Sequence, residues 1–110
     1  MFEHARLLQI FVTAADRYGE RPLYEAIVEA CRQHRAAGVA AIRNVEGFDD
    51  SPTIAHEHWF RHEEPVALII VDRAERLDRL LDTVTPWLDH GIMMRSDAQV
   101  RRVERGTGTR

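Results

Sequence analysis

Apolar and polar residues alternate over residues 7–14 of the chain. Apolar side chains occupy the even-numbered positions from Leu8 onwards, while Leu7 and Phe11 fall on the opposite face, and this period of two is that of a β-strand. A second apolar run, residues 66–71, reads Val-Ala-Leu-Ile-Ile-Val without any alternation. Because a strand with one face in water would alternate, this run predicts a strand that is covered on both faces.

Between these two strands the pattern changes to the period of a helix. Apolar positions recur at three- and four-residue steps over residues 22–37, which predicts an amphipathic helix. Pro22 suits its first turn, where a missing N–H costs nothing, and Gly38 is predicted to end it as a left-handed cap. A second strand is expected over residues 39–45. The buried face of the helix is predicted to consist of Leu23, Ile27, Ala30, Cys31 and His34.

A second helix is predicted to begin at Asp72, immediately after the apolar run. Asp72 and Glu75 have the spacing of a capping box in its Asp form. Apolar residues keep helical spacing as far as Leu88. Pro86 is expected to kink this helix or to split it into two pieces, and Gly91 is expected to end it.

The remaining segments complete the order of elements. A polar loop is predicted over residues 46–55, a third strand over residues 56–62 and a short last strand over residues 92–95. The resulting order is β-α-β-β-α-β with both helices on one face of an antiparallel sheet, which is the α+β ferredoxin-like arrangement. We expect a single domain, residues 1–103, followed by a disordered tail, residues 104–110.

The apolar run also bears on assembly. Two helices can cover only one face of the predicted sheet, yet residues 66–71 and Phe11 place apolar side chains on both faces. Another copy of the chain is therefore expected to cover the second face, because large apolar patches are rarely left in water. The alternative is a few singly exposed apolar residues, which are common on protein surfaces.

The composition of the chain argues against several classes of function. The 110 residues carry a formal net charge of −3, with acids and bases interspersed, which argues against a nucleic-acid partner. The lone Cys31 excludes an internal disulfide and suits a reducing cytoplasm. No apolar run approaches the roughly 20 residues of a membrane span. Because no catalytic motif is recognisable, we do not expect an enzyme, and the sequence names no cofactor.

Several polar residues are candidates for binding an anion. Arg43, at the end of the second predicted strand, can pair with an acid such as Glu46 across an interface, or hold a ligand carboxylate or phosphate in a bidentate manner. Other candidates surround the start of the first helix, where free N–H groups favour an anion, although local capping and a surface ion pair are the alternative there. This second set consists of Asp16, Tyr18, Arg21 and Glu25.

A metal site is a further hypothesis. His56 and His58 share one face of the third predicted strand, at a separation of about 7 Å that lets two imidazoles meet at one ion. Zinc, copper and nickel accept such ligands. The alternative is an ordinary polar strand face, which the absence of a completing cysteine or carboxylate pattern favours.

Several short sequence motifs of this chain occur together in one known family. The chain resembles, from about residue 7 to residue 103, the domain-of-unknown-function-190 (DUF190) family of small PII-like proteins, within the nitrogen regulatory protein PII superfamily. The resemblance implies a ferredoxin-like subunit of a PII-like homotrimer, whose 46–55 loop corresponds to the loop with which PII proteins touch their partners. The motifs on which the resemblance rests are Leu8-Gln9-Ile10, Gly19-x-x-Pro22-Leu23-Tyr24-Glu25-Ala26-Ile27, Gly38-Val39-Ala40, Arg43, Glu46-Gly47-Phe48 and Pro65-Val66 through Val71-Asp72.

The resemblance implies a regulatory function. A small ligand, such as a nucleotide, would be sensed at the clefts between subunits, and a partner such as a membrane transporter would be contacted by the loop. A metal-responsive trimer of the CutA kind, using His56 and His58, is the alternative, and a small enzyme with an intersubunit site is a third. The ligand residues would be Tyr18, Arg21, Arg43, Glu46, Gly47 and Phe48, and the partner residues Asp49, Asp50, Ser51, Pro52 and Thr53.

One departure from PII proteins bears on nucleotide binding. PII proteins cradle phosphates with a glycine-rich, lysine-containing loop after the second helix. Residues 87–97 hold a single glycine there, and the whole chain contains no lysine. Asp49 and Asp50 would in addition repel a phosphate. We therefore predict that the chain has no tight ATP site of the phosphate-loop kind.

Overall fold

A computed structural model describes residues 1–43 and 64–104. The strands are β1 (Glu3–Thr13), β2 (Arg17–Tyr18), β3 (Arg21–Pro22), β4 (Gly38–Arg43), β5 (Pro65–Asp72) and β6 (Ile92–Val100). The helices are α1 (Leu23–Gln33) and α2 (Ala74–Val84), and a 3₁₀ turn at Thr85–Trp87 follows α2.

The four long strands form one antiparallel sheet in the order β4-β5-β1-β6. Strand β1 lies in the centre, where Ile10 pairs with Leu68 of β5 on one side and with Met93 of β6 on the other. The short strands β2 and β3 form a separate hairpin before α1. With two helices on one face, this is the predicted ferredoxin-like α+β arrangement.

The core lies between the sheet and the two helices. The even-numbered apolar residues of β1 and β5, such as Leu8 and Leu68, are fully buried against Ile27 of α1 and Leu77 of α2. Burying one side chain of this size contributes about 1.5–3 kcal/mol. The alternation predicted for β1 therefore holds, with its even positions toward the helices.

The other face of the sheet is also apolar, and in the part of the chain that the structure describes no helix packs on it. The register places the odd-numbered positions of β1 and β5 on this side. Of its outer residues, Ile42 is 45% exposed and Met94 is 50% exposed. We call this surface the open face. Its apolar residues are Leu7, Phe11, Ala40, Ile42, Ala67, Ile69, Val71, Ile92 and Met94, of which Phe11 and Ala67 are buried, and Gln9 lies among them.

Helix α1 is shorter than predicted. It ends at Gln33 rather than at residue 37, and the left-handed conformation is taken by Arg35, with a φ of 58°, rather than by Gly38. Gly38 is instead the first residue of β4. The predicted glycine cap is therefore wrong.

Two backbone hydrogen bonds close the turn after α1. The N–H of Arg35 donates to the carbonyl of Arg32 at 3.0 Å, and the N–H of Ala36 donates to the carbonyl of Cys31 at 2.9 Å. This pair of bonds is the Schellman motif. Because the motif is complete before the chain reaches Gly38, Arg35 bears the cost that a Cβ atom meets in this conformation.

The start of α2 also differs from the prediction. Asp72 is the last residue of β5, and Arg73 is the residue that precedes the helix. The carboxylate of Asp72 accepts a hydrogen bond from the N–H of Arg73 at 2.7 Å, and no side chain in the described part of the chain caps the helix. The predicted capping box with Glu75 is therefore wrong, because the strand continues through Asp72.

The segment after α2 follows the prediction in part. The helix ends at Val84, and Pro86 lies in the 3₁₀ turn beyond it, so the predicted interruption at the proline is confirmed. Gly91 does not end a helix, since the turn is already finished at Trp87. Its φ is 127°, and a Cβ atom there would lie 2.7 Å from the carbonyl oxygen of Phe11.

Strand β6 is longer than the predicted residues 92–95, because it pairs with almost the whole length of β1. The predicted loop over residues 46–55, the strand over residues 56–62 and the tail beyond residue 104 lie outside the described residues. Within residues 1–43 and 64–104, no helix is long and apolar enough to cross a membrane.

Candidate functional site

An arginine–carboxylate pair lies where β4 ends and β5 begins. The Nε atom of Arg43 donates to Oε2 of Glu64 at 3.0 Å, and its Nη2 atom donates to Oε1 of the same carboxylate. The side chains are 55% and 25% exposed, respectively. The contact is bidentate, which is the geometry in which a guanidinium recognises a carboxylate or a phosphate.

Helix α1 contributes an aromatic ring to this pair. The guanidinium carbon of Arg43 lies 5.9 Å from the centre of the Tyr24 ring, at the outer limit of a cation–π contact. The hydrogen bond to Glu64, followed by the charge of Glu64, raises the pKa of Arg43 above its ordinary value. Arg43 is therefore a permanent cation. Within the described residues its acidic partner is Glu64 of the same chain, a pairing that the sequence did not suggest.

A second group of side chains surrounds the β2–β3 hairpin. The rings of Tyr18 and Trp87 pack with their centres 4.3 Å apart and their planes inclined at 30°. Tyr18 is paired with Arg21 across the hairpin, and Tyr18 remains 44% exposed. The signal in the sequence for the position of Trp87 is Pro86, which lies beside it in the 3₁₀ turn.

The acid of this second group has local partners. Oδ2 of Asp16 accepts from the N–H of Thr13 at 2.9 Å, and Oδ1 lies 3.2 Å from Nε2 of His90. The carbonyl oxygen of Asp16 accepts from the N–H of Leu23, at the start of α1, at 2.8 Å. Asp16 therefore connects β1, α1 and the segment that precedes β6.

Both groups lie at the same end of the sheet, which we call the upper end. Strands β1 and β4 end there, and β5 and β6 begin there. A backbone hydrogen bond links the segments that carry the two groups, since the N–H of Ala14, just after β1, donates to the carbonyl of Glu64 at 2.8 Å. Of the predicted ligand residues, the structure therefore places Tyr18, Arg21 and Arg43 at the upper end.

The opposite end of the sheet holds a cleft of about 640 Å³ near the start of α2. Its charged residues include Arg6 and Asp97, whose side chains form an ion pair at 2.8 Å between Nε and Oδ1. Because the register places Arg6 opposite Asp72, and Val12 opposite Val66, this cleft is separated from the upper end by most of the length of β1.

The other predicted site residues lie outside the described residues, and the hypotheses about them stay predictions. Over residues 1–43 and 64–104, no three histidine, cysteine, aspartate or glutamate side chains form a group that could hold a metal ion. The residues concerned are Glu46, Gly47 and Phe48 for the ligand, Asp49, Asp50, Ser51, Pro52 and Thr53 for the partner, and His56 and His58 for a metal.

The fold is shared with solved PII-like proteins. CPII from Thiomonas intermedia K12, bound to ADP, AMP and acetate, is 16% identical, with a TM-score of 0.67 over 93% of each chain, and another CPII structure holds ADP and bicarbonate. A putative PII-like signalling protein from Thermus thermophilus is 16% identical, with a TM-score of 0.54 over 90% of this chain and 89% of that one. CutA1 from Oryza sativa is 13% identical, with a TM-score of 0.55 over 92% of this chain and 84% of that one.

These similarities and the sheet order show a ferredoxin-like fold, which the chain shares with these proteins. The sequence pattern of the DUF190 family, described as "Uncharacterized ACR", matches residues 5–100. The chain therefore belongs to the DUF190 family, as its short sequence motifs predicted.

Proposed function

We propose that this chain is the subunit of a PII-like homotrimer that regulates another protein in the cytoplasm. A small ligand binds at the clefts between subunits, and residues 46–55 contact a partner such as a membrane transporter. The role is regulatory rather than catalytic. Membership of the DUF190 family and the shared fold of CPII support this proposal.

The observation that carries the proposal is the open face of the sheet. Ile42 and Met94 are 45% and 50% exposed, and Ile69 and Val71 of β5 are only half-buried. Leaving these apolar side chains in water is unfavourable. Copies of the same chain that pack on this face would bury it and would also create the clefts in which a ligand binds.

The chemistry of the upper end suits an anionic ligand that also carries an aromatic group. Arg43 provides a permanent cation with fixed geometry, and Tyr18 provides an exposed ring backed by Trp87. The CPII structures hold ADP or AMP together with acetate or bicarbonate. We therefore propose that a nucleotide, a small oxyanion or both bind at this end of the present chain.

A thermal-shift series tests ligand binding. ADP, AMP, bicarbonate and acetate are titrated at constant ionic strength, and a ligand present at 100 times its dissociation constant should stabilise the protein by about 2.7 kcal/mol. Mg-ATP is expected to bind no more tightly than ADP, because residues 87–97 provide no lysine for its terminal phosphate. Stabilisation by none of these compounds would contradict ligand sensing.

Removal of residues 49–53 tests the partner loop. Loop-closure entropy changes only slowly with length, so this deletion should leave the oligomer and ligand binding unchanged. It should abolish capture of the partner from detergent-solubilised membranes of the source cells. Capture that is equal for the deletion variant and the parent protein would remove this segment from the proposed contact.

A further inference from the structure

Arg43 already holds a carboxylate, and that carboxylate belongs to the protein itself. We infer that Arg43 is the residue that binds the oxyanion group of the ligand, and that Glu64 is a built-in competitor which the ligand must displace. The ligand group is a planar carboxylate, a bicarbonate or a terminal phosphate, since each presents two oxygens to a guanidinium. This inference rests on the ligand-sensing function proposed above.

The geometry supports competition rather than a separate site. Glu64 uses the Nε and Nη2 atoms of Arg43, which form one of the edges by which a guanidinium makes two parallel hydrogen bonds. A ligand carboxylate that needs this edge must replace Glu64. Both side chains are exposed enough for the exchange, at 55% for Arg43 and 25% for Glu64.

The backbones on both sides of the pair are fixed, so that only the glutamate side chain needs to move. Arg43 is paired with Val66 in the sheet, and the carbonyl of Glu64 is held by the N–H of Ala14 at 2.8 Å. Tyr24 lies beside the guanidinium. Arg43 is therefore held in position to receive the ligand. Displacement moves the side chain of Glu64, the residue that precedes β5.

The strength of the pair is suitable for reversible exchange. Exposed ion pairs typically stabilise a protein by 1 kcal/mol or less, which corresponds to a factor of about five in a binding constant. A ligand oxyanion with one additional contact can therefore displace Glu64. Once displaced, the glutamate carboxylate repels the bound anion and turns away, and the occupied state thus differs from the free state in the position of this one charge.

Calorimetric titration of four variants tests the inference. Bicarbonate, acetate and ADP are titrated separately at constant ionic strength into the parent chain, Glu64→Gln, Arg43→Gln and the double variant. Glu64→Gln should bind at least one probe about fivefold more tightly, and Arg43→Gln should lose that binding. The double variant should behave like Arg43→Gln, because the competitor acts only through Arg43. The three probes distinguish a carboxylate, a bicarbonate and a phosphate as the source of the oxyanion.

Asp97→Asn is the matched control. It also removes one negative charge from an exposed arginine pair, that of Arg6, but it does so at the opposite end of the sheet. It should leave every affinity within a factor of about two, since exposed charges farther apart than a Debye length of about 10 Å are largely screened. Glu64→Ala should repeat the gain of Glu64→Gln, which shows that the lost carboxylate and not the new amide is responsible.

A resonance of Arg43 gives an independent measurement. In the free parent chain, the ¹⁵N and ¹H shifts of the Arg43 Nε–H group should differ from those of Glu64→Gln, and titration with the binding probe should move the same resonance. A probe that binds the parent chain and Glu64→Gln equally, without moving this resonance, would overturn the inference and leave ligand sensing intact. Binding of no probe by any variant would contradict ligand sensing, and the present inference with it.

Discussion

Arg35 shows what a single residue costs at the end of a helix. It adopts a φ of 58° in the Schellman turn after α1, a conformation that a Cβ atom disfavours by about 1–2 kcal/mol. Its carbonyl accepts a hydrogen bond from Nη1 of Arg76 at 3.1 Å, and a substitution of the side chain would leave that bond in place.

Arg35→Gly is therefore expected to stabilise the fold. The gain should be about 0.5–1 kcal/mol, since the relief of strain is partly offset by the greater freedom of glycine in the unfolded chain. Urea unfolding at a fixed protein concentration measures it. Arg35→Ala, which keeps the Cβ atom, should show no such gain, and an equal gain for both variants would contradict the account of the turn.

Cys31 couples stability to alkaline pH. The thiol is 1% exposed, and burial, with a smaller contribution from the charge of Asp72, raises its pKa from an ordinary 9.0 to about 11. The folded protein therefore favours the neutral thiol more strongly than the unfolded chain does. This contribution is fully present below pH 9 and is lost as the pH rises from about 9 to about 11.

The free energy of unfolding should accordingly fall across that interval, by up to about 2–3 kcal/mol per chain. Urea unfolding at pH 8, 9, 10 and 11 measures the decrease. Cys31→Ala lacks the thiol and should lose less stability over the same steps, whatever its stability at pH 8. Parallel pH profiles for the two proteins would show that the thiol does not titrate differently in the two states.

At the scale of elements, the connection between α2 and β6 depends on Gly91. Its φ is 127°, and a Cβ atom added at this position would lie only 2.7 Å from the carbonyl oxygen of Phe11, which leaves no room for a side chain. Gly91→Ala should therefore cost about 2–3 kcal/mol. Gly38→Ala is the matched control, because no atom of residues 1–43 and 64–104 lies within 4 Å of its Cβ position. Equal stability of both variants in urea would contradict the close approach.

The elements themselves were largely predictable, and their ends were not. An unbroken apolar run located β5, and periodicity located both helices and β1, because burial of one face imposes a period on the sequence. It failed at Gly38 and at Asp72, where the outcome depends on when a turn closes or a strand stops. Strand β6 was underestimated because most of its side chains are exposed and carry no period.

The candidate site was likewise predictable only in part. Arg43 and Tyr18 were recognisable from residue type and position, but the pairing of Arg43 with Glu64 joins residues 21 positions apart. That contact follows from the register of β4 on β5, which a single sequence does not specify. The contact of Trp87 with Tyr18 was likewise not predictable, since it depends on where the 3₁₀ turn directs the chain.

At the scale of the whole molecule, the unalternating run of residues 66–71 has a direct structural meaning. Leu68 is fully buried under the helices, whereas Ile69 points to the open face. Ile69→Glu should therefore separate the subunits while each remains folded, because an unpaired charge in a buried interface is costly. Gln33→Glu, on the exposed surface of α1, adds the same charge and should leave the assembly intact. Circular dichroism confirms folding, and an oligomer that persists in Ile69→Glu would contradict the role of the open face.

The most direct test of the central claim is the mass of the protein in solution. Multi-angle light scattering on a size-exclusion column, at micromolar concentration, should give three times the 12.7 kDa mass of the chain. That result is expected because the open face of the sheet is apolar and only further copies of the chain are proposed to cover it. A single species with the mass of one chain would contradict the account.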